Sequence, residues 1–346
     1  MITHHHDHDH DGSGAIHTHL TSVGIDIGSS TSHLMFSELA IGYPSLHRRR
    51  PEVLERKVLS RSPILLTPFS GDWNIEAAPL EKLIASTFQA AGLNREGIDT
   101  GAVIITGEAA RRDNARKIAE LFSGQAGRFV CATAGPRLET ILAAHGSGAV
   151  ARSREEGSTL LNVDLGGGTT KVSHIVKGKI QETTALNIGA RLIAYDGSGH
   201  LVRLEKSGER FLRDLGHKAR AGERIESAIL ERLGSRMASV LFDMLAGAPP
   251  PWSDLFITPP MNGLPNVDGI LFSGGVSEYI YEREHSAFGD LGPLLGKAVR
   301  EEAEKRGYRI LDSSEGIRAT VIGASQYSIQ LSGETIFVPR PDNLPL

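Results

Sequence analysis

The chain has 346 residues, a formal net charge of −4, and 40% hydrophobic against 23% charged residues. This balance fits a folded chain of about two domains rather than a disordered one, and it offers no bulk basic surface for nucleic acid. A single cysteine, Cys131, excludes an intramolecular disulfide framework and suits a reducing cytoplasm, and the sequence carries neither a secretory signal nor an apolar run near the ~18 residues of a membrane span.

Seven of the 14 histidines lie in the first 19 residues (His4, His5, His6, His8, His10, His17 and His19). Residues 1–20 read as a disordered, solvated leader; alternating His and Asp would also suit Zn²⁺ or Ni²⁺. SVGIDIG (22–28) predicts a short buried strand, and LMFSEL continues it as a hairpin over 22–40. Residues 43–60, with Arg48, Arg49 and Arg50, read as solvated surface. The spacing over 76–92 predicts a helix closed by Gly92. GAVIITG (101–107) is a buried strand, the segment ending at Gly124 a helix, FVCATAG (129–135) a strand, and the stretch from Arg137 a further helix.

The polar run RSREEGS marks a boundary near residue 155. The expected organisation is a first domain over 21–155 plus 317–331, and a second over 156–316 with a helical insertion at about 191–267. A tail follows at 332–346. STLLNVDLGGGTTKVSHIVKGKI opens the second unit and repeats the logic of VGIDIGSSTSHLMF: strand, Asp, Gly-rich turn, hydroxyls, strand. GILFSGGVSEYI is a strand and Gly-rich turn leading into a helix, and TVIGASQYSIQLSG a closing helix.

Three turns carry the chemistry: Asp26-Ile27-Gly28-Ser29-Ser30-Thr31, Asp164-Leu165-Gly166-Gly167-Gly168-Thr169-Thr170, and Phe272-Ser273-Gly274-Gly275-Val276-Ser277. Glycines let backbone N–H groups approach an anion, hydroxyls add donors, and an Asp at each strand end can hold Mg²⁺ through water. Two facing hairpins would clamp phosphates from both sides. The pattern is neither GxxxxGK[ST] nor GxGxxG, so a P-loop or Rossmann site is disfavoured.

The order DIGSSTS, DLGGGTTK, LFSGGVSE, IGASQYS resembles the actin / sugar kinase / heat-shock chaperone ATPase superfamily. Over 22–346 the chain is more closely similar to the ethanolamine ammonia-lyase reactivating factors. FVCATAGPRLETILAAHGSGA, LNIGARL, DLGPLL and the tail DNLPL add to the motifs above. The resemblance implies an α/β fold of duplicated actin-like (ribonuclease H-like) ATPase domains with a nucleotide cleft between them. It implies an ATPase acting as a chaperone, which uses ATP and Mg²⁺ to release damaged cobalamin from ethanolamine ammonia-lyase so that intact adenosylcobalamin rebinds; the Gly135 departure described below makes slow turnover the expectation. By the same resemblance Asp26 and Asp164 lie on the Mg²⁺ side. Gly28, Ser29, Ser30, Thr31, Gly166, Gly167, Gly168, Thr169 and Thr170 surround the phosphates, and Gly274, Gly275 and Ser277 face the adenosine. The expected partners are the lyase and ATP/ADP, with no nucleic acid and no membrane; a homo-oligomer stays open. The expected location is the cytoplasm, with an ethanolamine-utilization microcompartment as a further setting.

Two departures stand out. Chaperone ATPases place a Glu before a Pro on the third strand to orient water, whereas this chain reads Ala134-Gly135-Pro136. Glu108 or Glu139 would substitute as the base, though neither sits at the family's position; Glu108, following GAVIITG, is the preferred candidate, and Glu139 is expected on a helical surface. The family also continues beyond this point, so a C-terminal region is expected to follow the tail. A small-molecule kinase on the same fold and an actin-type filament protein are the alternatives. No sugar-kinase-like substrate motif supports the first, and nothing marks a polymer interface for the second.

Overall fold

The computed structural model describes residues 16–28, 31–42, 52–70, 74–106, 109, 114–115, 118, 129–133, 135–262, 266–313 and 316–324. Residues 1–15 of the expected leader, Ser29, Ser30, Glu108, the triple arginine, most of the helix expected over 108–124, and the tail lie outside them.

The first sheet is ordered β3-β2-β1-β5-β6, with the short β4 (Leu65–Leu66) also pairing β2. Strands β1 (Ile16–Ile27), β2 (Thr31–Gly42) and β3 (Glu52–Arg61) form an antiparallel meander. Strands β5 (Thr100–Ile105) and β6 (Phe129–Thr133) extend it in parallel from β1. Alternation sorts the faces. Val23, Ile25, Ile27, Leu34 and Phe36 pack on helix α1 (Ala77–Ala91) through Leu80, Ile84 and Phe88. The Phe36 and Phe88 rings meet edge-on with centroids 4.7 Å apart.

The second sheet repeats the pattern as β13-β12-β7-β8-β9. Strands β7 (Thr159–Leu165), β8 (Thr170–Val176) and β9 (Lys179–Leu186) are the meander. Strands β12 (Gly269–Ser273) and β13 (Ile310–Leu311) add in parallel beside β7. The same strand order and the same mix of directions in both sheets is the duplication that the two Asp-Gly-hydroxyl segments foreshadow, in an actin-like α/β fold.

One face of the second sheet, with Leu161, Val163 and Leu165, packs on helices α5 (Ser227–Leu245), the short α6 (Ser277–Ile280) and α7 (Gly292–Lys305). The other face meets α2 (Pro136–Gly146) and α3 (Ala149–Glu155), with Ala144, Ala149 and Val150 against Leu160 and Ile175. Helix α2 also touches the first sheet, where Leu142 joins Ala102, Ile104 and Ala324. Residues 319–324 are helical, and Val321 and Ile322 pack on Met35. This segment crosses α2 with backbone against backbone. A Cβ on Gly146 would overlap Ala319 O, and one on Gly323 would overlap Leu142 O.

Several expectations change. Residues 16–20, placed in the leader, belong to β1 and pair with the end of β2. Part of 43–60, read as solvated surface, is the edge strand β3, whose alternating charges are the dress of an exposed edge. The segment 191–267 holds α4 (Lys206–Asp214) and α5 but also a hairpin of β10 (Ile193–Tyr195) and β11 (Leu201–Leu204). The helix α7 has no counterpart among the predicted elements.

Candidate functional site

Asp26 is the second-last residue of β1 and Asp164 the second-last of β7. Each is followed by a tight turn closed by the same bond: Gly28 N–H donates to Thr31 O at 2.9 Å, and Gly166 N–H to Thr169 O at 3.0 Å. Each aspartate accepts a hydroxyl hydrogen bond from the neighbouring parallel strand or its end. Thr106 Oγ1 reaches Asp26 Oδ1 at 3.3 Å, and Ser273 Oγ reaches Asp164 Oδ1 at 2.8 Å. One cavity is lined by Asp26, Gly28, Thr31, Asp164, Gly166, Gly167, Gly168, Thr169, Gly274 and Gly275, together with His33, Thr106, Glu139 and Lys171. The structure therefore brings most of the expected residues together.

The second hairpin has the form of an anion cradle. Gly166 O and Gly167 O are tied back by the Ala190 and Arg191 N–H groups at 3.2 and 2.6 Å. The N–H groups of Gly167, Gly168 and Thr169 donate to none of the described residues. Gly274 sits at φ +82°, and a Cβ there would overlap Leu165 O, so only glycine lets this turn close over the end of β7. Two expected residues face elsewhere. Thr170 Oγ1 is buried and donates to Ile188 O at 2.8 Å, and Ser277 Oγ donates to Gly274 O at 2.7 Å, holding the turn from behind.

Lys171, on β8, lies directly opposite Asp164 of β7. Its ammonium is 3.3 Å from Asp164 Oδ2 and forms a closer ion pair with Glu139 Oε1, with all three side chains buried. Glu139 stands in the first turn of α2, so its expected surface position is corrected: that turn enters the cleft beneath both hairpins. Three carboxylates thus share one lysine. Burial first, then the Glu139 charge, pushes the Asp26 carboxyl up to about 8, against the opposing pull of Lys171. Burial likewise raises Glu139, which the Lys171 charge holds back. Burial works against the Lys171 ammonium, but Glu139 and Asp164 outweigh it and hold its pKa above the usual range.

Register supplies the signal for what the motifs miss. Pairing forward across the turn from Asp164 reaches Lys171, and the same pairing from Asp26 reaches His33. Glu139 has no such local signal, because its place depends on where α2 crosses the sheets.

The cavity opens outward into a cleft of about 420 Å³, flanked by Ile64 and Leu66 on one side and by Tyr279, Arg283 and Phe288 on the other. That size suits a small organic ligand. Among the described residues, no group of three or more His, Cys, Asp and Glu converges to hold a metal ion, and no helix is long and apolar enough to cross a membrane.

The profile of the family described as ethanolamine utilisation protein EutA matches residues 18–346. The ethanolamine ammonia-lyase reactivase EutA of Salmonella typhimurium is 35% identical over 327 residues, which cover 92% of this chain and 69% of the relative. Its Escherichia coli counterpart is 34% identical with the same coverage. An exopolyphosphatase-like protein of known structure superposes with a TM-score of 0.50 at 15% identity, covering 90% of this chain and 99% of that one, which bears out the fold alone. With the duplicated sheets and the paired Asp-Gly hairpins already in place, the match along nearly the whole sequence shows that the chain belongs to the EutA family of ethanolamine utilisation proteins.

Proposed function

We propose that the chain is an ATP- and Mg²⁺-dependent reactivating chaperone for ethanolamine ammonia-lyase, which releases damaged cobalamin so that intact cofactor rebinds. The observation that carries the nucleotide reading is the pair of matched hairpins facing one cavity, one with three uncommitted N–H groups and both with an aspartate fixed by a hydroxyl. The reactivase role rests on the names of the relatives at 35% and 34% identity.

The donor set fits Mg²⁺. Three buried carboxylates face a single lysine, so the cavity is short of positive charge. Because among the described residues side chains alone do not converge on a cation, Asp26 and Asp164 would hold it through its own waters and the phosphates, as Mg²⁺ prefers. Bound there, the ion would neutralise phosphate charge. Gly28, Ser29, Ser30 and Thr31 on one hairpin, and Gly166, Gly167, Gly168 and Thr169 on the other, would hold the phosphates. Gly274 and Gly275 would lie along the path to the adenosine in the outer cleft. Units over 21–155 with 317–331, and over 156–316, would close on the nucleotide.

Glu139 is the carboxylate best placed to orient water, since it is buried in the cleft. It shares its charge with Lys171, which supports slow turnover and a nucleotide that works mainly as a conformational switch. Glu108 remains a second candidate, because Thr106, two residues earlier, contacts Asp26.

The test uses lyase blocked with cyanocobalamin, mixed with this chain and free adenosylcobalamin, in the cytoplasm-like reducing buffer the sequence suits. Activity should return with ATP·Mg²⁺ and stay absent without nucleotide or with Asp164→Asn. Recovery that is equal with and without ATP would refute the nucleotide dependence, and no recovery at all would refute the reactivating role.

A further inference from the structure

His33 is 2% exposed, yet neither ring nitrogen has a hydrogen-bond partner among the described residues. A buried polar atom left unpaired costs stability and calls for an explanation. Its position supplies one. In the antiparallel pair β1–β2, His33 lies directly opposite Asp26, as Lys171 lies directly opposite Asp164 in β7–β8. The two positions correspond under the duplication, and both line the same cavity. Lys171 is fully engaged by Glu139 and Asp164, whereas the His33 ring makes no hydrogen bond to any of the described residues. The neighbouring hydrophobic residues of β2, Leu34 and Phe36, point to the opposite face, into the α1 core, so His33 is not part of that packing.

We propose that His33 is a ligand-contacting residue, which donates an imidazole N–H to a phosphate oxygen of the bound nucleotide from the first hairpin while Lys171 brings charge from the second. Burial, with the Arg318 charge, lowers the His33 pKa to about 3, so the ring is neutral and keeps one donor and one acceptor. A neutral donor suits this side of the cavity. A second cation would be drawn to Asp26, whereas a neutral ring leaves that carboxyl for the metal. The inference rests on the nucleotide reading above and adds a residue that the Gly-rich motifs do not contain.

A core histidine and a ligand-facing one respond differently to His33→Leu. Replacing the ring with an apolar side chain removes two unpaired buried nitrogens, so the ligand-free protein should melt higher. Nucleotide affinity should nonetheless fall, by on the order of tenfold or more for one hydrogen bond to a charged acceptor. His33→Gln, which keeps a donor and an acceptor, should retain most of the affinity. Calorimetry with ATP·Mg²⁺ and ADP·Mg²⁺ on the full chain, beside thermal melts without ligand, reads both. A Leu variant that binds ATP·Mg²⁺ as tightly as the wild type overturns the assignment, whatever its melting temperature. If that variant does not fold, ¹⁵N-histidine spectra of the wild type decide, with the His33 signal identified by its loss in His33→Gln. A shift of that signal on adding ATP·Mg²⁺ supports the contact, and no shift overturns it. A wild-type protein that binds no nucleotide would instead refute the proposed site itself, and the role of His33 with it.

Discussion

Binding of ATP·Mg²⁺ should expel the proton that burial keeps on Asp26. With a pKa of about 8 in the folded chain against 3.8 unperturbed, this carboxyl is mostly neutral at pH 7. The raised value stabilises the ligand-free protein in full below about pH 4, and that contribution is lost as the pH rises through 8. A metal that needs the ionised form must displace the proton. At pH 7 about nine-tenths of a proton should therefore leave per site filled, and affinity should rise about tenfold between pH 7 and pH 9 before levelling. Calorimetry in two buffers of different ionisation enthalpy measures the proton count directly. Asp26→Asn, which mimics the protonated form, should bind more weakly, show no such pH dependence, and lose the decline in ligand-free melting temperature between pH 6 and 9. An affinity that is flat from pH 7 to 9, with identical heats in both buffers, would refute this account of the cluster.

Lys171→Met should destabilise the ligand-free protein by ~3–5 kcal/mol, since it leaves Glu139 and Asp164 buried without their cation; Glu139→Gln in the same background should recover part of the loss in urea titrations. Glu139→Gln alone should lower steady-state ATP turnover by about a hundredfold with little change in affinity, as loss of a positioned base does; if Glu108→Gln does this instead, the base is Glu108. Gly146→Ala should lower the melting temperature sharply, because its Cβ would occupy the space of Ala319 O at the α2 crossing.

The hairpins were legible because their signals are local: Asp, glycine and hydroxyl follow one another within a few residues, and the turn bonds at Gly28 and Gly166 form within that stretch. His33 and Lys171 were one step further away, readable only by pairing residues across the turn. Glu139 was hidden. On α2 its neighbours are arranged like those of any amphipathic helix, and the cleft that buries its first turn is assembled from two sheets, one wholly before it and one wholly after it in sequence. β3 escaped for a different reason. As an outer strand it exposes alternate side chains, and Glu55, Arg56 and Lys57 carry more charge than a strand signal tolerates. α7 opens on Gly292 and Pro293 and carries Gly296, which reads as a turn. The missing side chain at 296 instead admits Tyr279.

The crossing of α2 with residues 319–324 limits how the cleft can move. Most helix contacts interlock through side chains, so sliding one helix past another means unlocking and relocking them. Here Gly146 and Gly323 put main chain on main chain, with no side chain at the point of nearest approach. Such a joint resists translation, because the backbones are already touching, but presents no teeth against rotation. It is a fulcrum. α2 carries Glu139 at one end and Gly146 at the other, so a small turn about the crossing becomes a larger sweep at the phosphate end, and the carboxylate would move with the jaws rather than wait between them.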